Sequence, residues 1–387
     1  MQQRIKRNAL KPGMYVVSHG LGTFEDPLVR VDKPLLTQAD IRAYVPLEAE
    51  SVVIETSVNI SLLGQNRPVG VPITTSLSDE LPIARKLYSD ALIHVKSFVD
   101  DVRKGTDIDC RKAVPLVENF IESVFRNESA AATLFKLRDF DEYTYTHSIN
   151  VSLLAVLLGK HLELGRPELL KLGLAGMYHD VGKARIPENV LNKPGKLTEA
   201  EFQLMKTHPL EGYKIMMRQP DMDPEVLRAV VEHHERFDGA GYPRGLTGDA
   251  IGLFSRIIAV VDVYDALTSR RVYKDAMAPA KALGMMYQWR DKDFPPGAIE
   301  NFIRCIGVFP VGSLVRLSGG EYGIVAGVNP QKPTKPEIKV VLDAKMRPQI
   351  ARVLDLFALE GTVEAQEITQ VLNPAECNID LEHFFLS

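Results

Sequence analysis

Cysteine is scarce: three in 387 residues, Cys110, Cys305 and Cys377, far apart and with no CxxC among them. That scarcity leaves neither a disulfide framework nor a thiolate zinc site. It suits a reducing compartment, and all three thiols are expected to be structural. Long apolar runs are missing too, since none approaches the roughly 18 residues that a membrane span needs. The opening, MQQRIKRNALKPGMYVV, is basic but has no uninterrupted apolar stretch before Lys11-Pro12-Gly13, so it does not read as a signal peptide, and the cytoplasm is the expected location. Nor is there an excess of one charge. With 46 Lys and Arg against 50 Asp and Glu the formal balance is −4, which argues against sequence-blind binding of DNA or RNA. An anionic substrate would have to be drawn in by local positive charge, from metals or a few basic side chains. What remains is an ordinary globular composition, 45% apolar and long enough for two or three domains, without repeats or low-complexity tracts.

The patterning predicts a multidomain, mainly α chain. Residues 1–64 show short strands at Met14–Val17, Leu28–Val31 and Ser51–Thr56 between turn residues, a small β-rich or α+β module with a possible regulatory role. His19 stands alone there and is not expected to bind anything. Residues 65–80 turn to Gly, Pro, Asn, Thr and Ser, a linker. Connecting helices are expected over 81–128, with Ala84, Leu87, Ala91, Val95, Phe98 and Val102 at helical spacing on the first. His94 lies on it without a ligand partner one turn away. Residues 129–310 form an all-α bundle, and 311–387 a small β appendage with a tail; Ser313–Leu317, Tyr322–Val325 and Ile338–Leu342 are its strands. His383 in the tail is expected to be inert.

The chemistry concentrates between Tyr143 and Asp262, where five of the nine histidines fall in an order that suits a cluster of metal ions: His147, His179-Asp180 with Lys183, His208, then His233-His234, followed by Asp262. The helix of 142–163 carries His147. Further helices lead to His179, to His208 after a Thr198/Glu201 capping box, and to His233, while Asp262 sits inside an apolar helix where a charge needs a partner. Imidazoles and carboxylates converging inside a bundle suit borderline divalent ions such as Mn, Fe, Co, Ni or Zn, and adjacent ligand pairs let one segment serve two ions. A loop with Gly239 and Gly241 follows the histidine pair, because those glycines permit backbone conformations that a helix does not hold.

The strings HSINV (His147), HDVGK (His179 to Lys183), HPLEG (His208) and above all HHERFDGAGYP (His233 to Pro243) resemble the HD-GYP subgroup of the HD-domain phosphohydrolases over roughly residues 135–290. The first 80 residues resemble, more loosely, an uncharacterised domain that often precedes it. The resemblance implies a bacterial phosphodiesterase that hydrolyses cyclic di-GMP to pGpG and onward, slowly, to GMP. It makes His147, His179, Asp180, His208, His233, His234 and Asp262 the metal ligands, with Asp180 as the bridge. Two divalent transition-metal ions, iron or manganese by family habit, would then lower the pKa of a shared water whose hydroxide attacks phosphorus in line. Lys183 fits the lysine that stabilises charge on the phosphoryl oxygens. Arg271, Tyr273 and Lys274 match positions that contact the second phosphate or a guanine. Gly239, Gly241, Tyr242 and Pro243, braced by Arg236 and Asp238, would form a lip that is also a candidate surface for a signalling partner; a homodimer is a further candidate assembly.

One departure matters. Some family members carry a glutamate four residues before the first histidine, ligating a third metal. Here that position is Tyr143, and Glu142 lies about 140° round the helix from His147. Two metals are therefore expected. The competing readings are an idle adaptor that binds nucleotide or a partner protein, and an HD phosphohydrolase for a different nucleotide.

Overall fold

The computed structural model describes residues 2–6, 14–21, 28–35, 49–55, 75–134, 143–269, 276–329, 331–372 and 377. They divide into two units, Met1–Gly70 and Val71–Ser387.

The first unit is an antiparallel sheet of β1 (Gln2–Lys6), β2 (Met14–Leu21), β3 (Leu28–Leu35) and β4 (Ala49–Glu55), in the order β1-β4-β2-β3. Valine, isoleucine and tyrosine in β2, β3 and β4 favour the pleated backbone, and the sequence marked these three. It passed over β1, because Gln-Gln-Arg-Ile-Lys has no apolar alternation. That strand exists through its pairing with β4, Arg4 opposite Val53 and Ile5 opposite Val52. His19 lies on β2, and its side chain is outside the described residues.

The second unit is a helical bundle followed by a sheet. Its helices are α1 (Leu77–Lys104), α2 (Val114–Arg126), α3 (Glu128–Leu134), α4 (Tyr143–His161), α5 (Arg166–Tyr178), α6 (Glu188–Leu191), α7 (Glu199–Met205), α8 (His208–Met216), α9 (Pro224–Glu232), α10 (Leu253–Thr268), α11 (Pro279–Gln288) and α12 (Ala298–Ile306). The apolar periodicity places the start of α1 at Pro82, yet the helix begins at Leu77. Ser76 caps it, its Oγ accepting the Asp79 N–H at 3.2 Å, and a capped polar turn carries no apolar stripe to read. Glu80, in that first turn, is fully buried and takes Arg126 Nε at 2.6 Å and Ser123 Oγ at 2.7 Å, so α1 is fastened to α2 by a paired charge. His94 is a packing residue, with Nε2 2.9 Å from the Tyr178 hydroxyl.

The centre of the bundle is α4. Every residue from Val151 to Leu158 is buried, so the helix is apolar all round where the sequence showed one inward stripe. Each of its large apolar side chains contributes roughly 1.5–3 kcal/mol by leaving water. It meets α5 at backbone distance, since a Cβ on Gly176 would lie 2.7 Å from Ser152 Cα, and Ser152 Oγ donates to Gly173 O at 2.7 Å. That approach brings His147 and His179 to a ring separation of 5.1 Å. The capping box of α7 is present, with Thr198 Oγ1 accepting from Glu201 N and Glu201 Oε2 from Thr198 N. No described helix is long and apolar enough to cross a membrane.

The C-terminal sheet runs β8-β7-β6-β5-β9, from β5 (Leu314–Leu317), β6 (Tyr322–Gly327), β7 (Glu337–Leu342), β8 (Pro348–Asp355) and β9 (Ile368–Leu372). Val315, Leu317, Val325, Ile338, Val340 and Leu356 form its core. The first three strands match expectation. β8 and β9 were missed, because they are edge strands without an alternating apolar face, β8 mostly exposed and β9 half-buried. His383 lies outside the described residues. Among the described residues no cysteine forms a disulfide, and burial pushes the Cys110 thiol up to about 12, which leaves it un-ionised.

Candidate metal centre

Helix ends supply most of the site. His179 is the residue that closes α5, with Asp180 next to it, and His233 closes α9 in the same way. His208 opens α8 rather than ending α7, a correction to the sequence reading caused by Pro209, which fits the first turn of a new helix. His147 stands one turn into α4, and Asp262 is in the middle of α10. All seven converge.

Asp180 lies at the focus. Its Oδ2 is 3.3 Å from His179 Nε2 and 3.5 Å from His147 Nε2, while Oδ1 is 3.2 Å from His208 Nε2 and 3.7 Å from His233 Nε2. Each carboxylate oxygen therefore faces a different pair of imidazoles. Asp262 Oδ1 stands 3.1 Å from His147 Nε2, and its Oδ2 stands 4.0 Å from His234 Nδ1. His147, His179 and Asp180 form one group whose donor atoms lie within 4.8 Å of one another, and Asp180, His208, His233 and His234 form the other.

Hydrogen bonds behind the rings set which nitrogen is bare. His179 Nδ1 donates to Gly176 O at 2.7 Å, His208 Nδ1 to Met205 O at 2.8 Å and His233 Nδ1 to Val230 O at 2.8 Å. Each proton on Nδ1 leaves an unprotonated Nε2 pointing inward. His208 Nε2 and His233 Nε2 then face each other at 3.2 Å, lone pair against lone pair, and His179 Nε2 and Asp180 Oδ1 are buried without a hydrogen-bond partner. Bare donors crowded around a buried carboxylate are costly unless a cation lies among them, so the donor set fits divalent metal binding.

The titration of these groups agrees. Burial, with the nearby His179 and His208, pulls His233 down to about 4, and burial together with His233 holds His234 well below its ordinary value. Burial opposes ionisation of both Asp180 and Asp262, but Lys183, His179 and His147 outweigh it at Asp180, and His147, His179 and His234 outweigh it at Asp262, so both carboxyls are held well below the usual range. The neutral imidazole and the ionised carboxylate are the ligand forms. For His233 the folded value is below the unfolded one of about 6.5, so between about 6.5 and 4 the unfolded chain binds a proton that the folded chain refuses. The melting midpoint of metal-free protein is expected to fall as pH is lowered from about 7 to about 5, before the two carboxylates titrate. A flat profile in a thermal-shift series would contradict the neutral cluster.

Three acidic residues at the site escaped the sequence reading. Asp265, fully buried, accepts His147 Nδ1–H at 2.8 Å; a second carboxylate one turn beyond Asp262 in VVDVYDALT was the available signal. Glu232 takes Arg228 Nε at 3.1 Å, Gly252 N at 2.8 Å, Ser255 Oγ at 3.0 Å and the guanidinium of Arg244. Glu235 accepts the backbone N–H of Arg244 at 2.7 Å and of Leu246 at 3.0 Å. Both glutamates tie the glycine loop back to the histidine pair. Gly241 has no room for a side chain, since a Cβ would lie 2.3 Å from Arg236 N, and Gly239 has φ +81°. Arg236 pairs with Asp293 and, at 3.2 Å, with Asp238. The Tyr242 ring, just before Pro243, lies 4.7 Å from the His234 ring at 31°.

Lys183 lies in the 3-10 turn Val181–Arg185, its ammonium on Asp180 Oδ2 and its side chain 26% exposed, so it borders the centre from the open side. Arg271, Tyr273 and Lys274 lie outside the described residues, as do Glu142 and the side chain of Tyr143.

A model of the HD domain family matches residues 119–296, a domain of unknown function (DUF3391) matches 2–113, and a KOW domain associated with HD domains matches 314–363. The N-terminal match extends through α1, past the 80 residues that the sequence suggested. A cyclic di-GMP phosphodiesterase of Pseudomonas aeruginosa is 36% identical over 370 residues, covering 92% of this chain and 89% of that protein. A cyclic di-GMP phosphodiesterase response regulator of Xanthomonas campestris is 38% identical over 209 residues, 52% of this chain and 55% of that protein. A 3'3'-cGAMP-specific phosphodiesterase of Vibrio cholerae is 40% identical over 145 residues, 38% of this chain and 33% of that protein.

Proposed function

This chain belongs to the HD-domain phosphohydrolases, in their HD-GYP subgroup, and on that footing we propose that it hydrolyses cyclic di-GMP to pGpG at a centre of two divalent ions, iron or manganese. The observation that carries the proposal is the division of Asp180 between two imidazole pairs, Oδ2 toward His147 and His179, Oδ1 toward His208 and His233. One carboxylate can thereby serve two ions. His147, His179 and Asp262 would complete one half, and His208, His233 and His234 the other. Bound divalent ions supply an acidified water and neutralise the phosphoryl oxygens.

The chain's own groups do the rest. The carbonyls of Gly176, Met205 and Val230 hold three imidazoles in the form that presents Nε2. Lys183, partly exposed with its ammonium on Asp180 Oδ2, would set that ammonium against a non-bridging phosphoryl oxygen, where charge grows as the diester is attacked. Tyr242, whose ring lies against His234, would wall the approach of substrate. Arg271, Tyr273 and Lys274 are proposed for the far phosphate or base on sequence grounds.

The test is chromatography of products after incubating the protein with cyclic di-GMP under Mn and under anaerobic Fe, beside a His179→Ala, Asp180→Ala double variant. Expected is pGpG from the unaltered protein alone, with GMP appearing only slowly, and about two metal ions per chain by elemental analysis. No product in either metal would overturn the proposal, and a stoichiometry near three would overturn the two-ion centre. The similarity to a 3'3'-cGAMP-specific enzyme makes that dinucleotide the competitor to include, and a higher kcat/KM for it than for cyclic di-GMP would reassign the substrate.

A further inference from the structure

The imidazoles of the centre are not all held in the same way. His179, His208 and His233 each give Nδ1–H to a carbonyl three residues back, so their orientation follows from local chain geometry. His147 gives its Nδ1–H to Asp265 Oδ2, on α10, more than a hundred residues away in sequence. Asp265 is itself held on both oxygens: Asn150 Nδ2 donates to Oδ1 at 2.9 Å, and Ser269 Oγ donates to Oδ2 at 3.0 Å. Asn150 in turn is oriented from a third helix, because the Tyr88 hydroxyl on α1 donates to Asn150 Oδ1 at 2.9 Å. An amide whose oxygen is engaged by a hydroxyl turns its NH2 the opposite way, here toward Asp265. His147, Asn150 and Asp265 are all buried, so solvent does not take over a broken link among these three.

We infer that Tyr88, Asn150 and Asp265 form a positioning chain from α1 to His147, so that the metal affinity of the His147–His179 half of the centre depends on a side chain of α1 while that of the His208–His233 half does not. A carboxylate behind an imidazole fixes the ring and makes Nε2 a stronger donor than a carbonyl does, and its loss typically weakens metal binding about 10- to 100-fold. None of the three belongs to the donor groups that would hold metal. They act through His147.

The inference rests on the two-ion reading, and titration of metal-free protein with Co(II), followed by visible absorption against a competing chelator, tests the two separately. Asp265→Asn keeps the shape of the side chain, and one of two cobalt equivalents is expected to weaken by about 10- to 100-fold while the other stays within about twofold. Tyr88→Phe removes a single oxygen from a half-buried residue, so it carries the test even if the Asp265 variant fails to fold. It is expected to weaken the same equivalent by about three- to tenfold, with an altered absorption band and an unchanged melting midpoint. Because the chain is already cut in Asp265→Asn, adding Tyr88→Phe to it should cost nothing more. Unchanged cobalt binding in Tyr88→Phe, additive losses in the double variant, or equal weakening of both equivalents would each overturn the chain while leaving the metal centre standing. An unaltered protein that binds no cobalt would overturn both.

Discussion

Asp180→Asn is expected to lower turnover by at least about a hundredfold and to strip most of the metal from the protein, with the fold retained. The substitution keeps the volume of the side chain and removes its charge. Every interaction it loses is concentrated there: two imidazoles and Lys183 face Oδ2, and two more imidazoles face Oδ1. Residues one step behind a metal ligand already cost about 10- to 100-fold when replaced, and Asp180 itself faces both imidazole pairs directly. Lys183 is partly exposed and can turn to water when its partner goes, so the loss need not unfold the chain. Metal content by elemental analysis, with the melting midpoint as control, reads the result. Full metal content and full turnover in Asp180→Asn would sink the bridging role.

Gly182→Ala should have the second largest effect, and for a different reason. Gly182 follows the His179-Asp180 pair by two residues and lies against the start of α8, where a Cβ would stand 2.0 Å from His208 O and 2.4 Å from Gly212 N. Both neighbours are backbone, so no side chain can swing aside, and the turn must move away from the helix. Overpacking of this kind costs about 3 kcal/mol at the upper end of its usual range, which lowers the melting midpoint by roughly 5 °C. The same movement parts Asp180 and Lys183 from His208, and a displacement of about 1 Å at a reacting centre is worth about a hundredfold in rate. Gly284→Ala is the control: it lies within α11, a Cβ there meets nothing within 4 Å, and a gain of up to about 1 kcal/mol is expected. Differential scanning fluorimetry beside the product assay checks both, and a Gly182→Ala protein as stable and active as the parent would show that the close approach does not matter.

His179, Asp180 and Lys183 were visible because one short segment carries all three, and His233-His234 because the glycine loop behind them has few other uses. Gly182 drew no notice of its own. Its role depends on α8 crossing at backbone distance, and nothing in the segment states which helix will arrive. Glu232 and Glu235 were hidden in the same way, since a charged residue beside two histidines reads as solvated surface until the loop folds back to cover it. The strands followed a similar rule. β2, β3 and β4 announce themselves by runs of β-formers, whereas the apolar residues of β1, β8 and β9 are few or irregularly spaced and their pairing is set by a neighbour, of which local pattern carries no record.

The sequence by itself determined the helical bundle with a strand-rich segment on each side and the order in which short segments deliver the candidate donors, because these depend on residue type and on spacing along one helix or turn; the expectation that seven of them ligate metal came from the family resemblance. Only the tertiary structure decided how the donors share the work: that the two oxygens of Asp180 face different imidazole pairs, that Asp265 on α10 rather than a local carbonyl orients His147, and that Tyr88 on α1 stands behind it. Those relations are distances between segments far apart in the chain. They are fixed by how closely helices pack, as at Gly176 and Gly182, and packing is a property of pairs of surfaces that no single stretch of sequence contains.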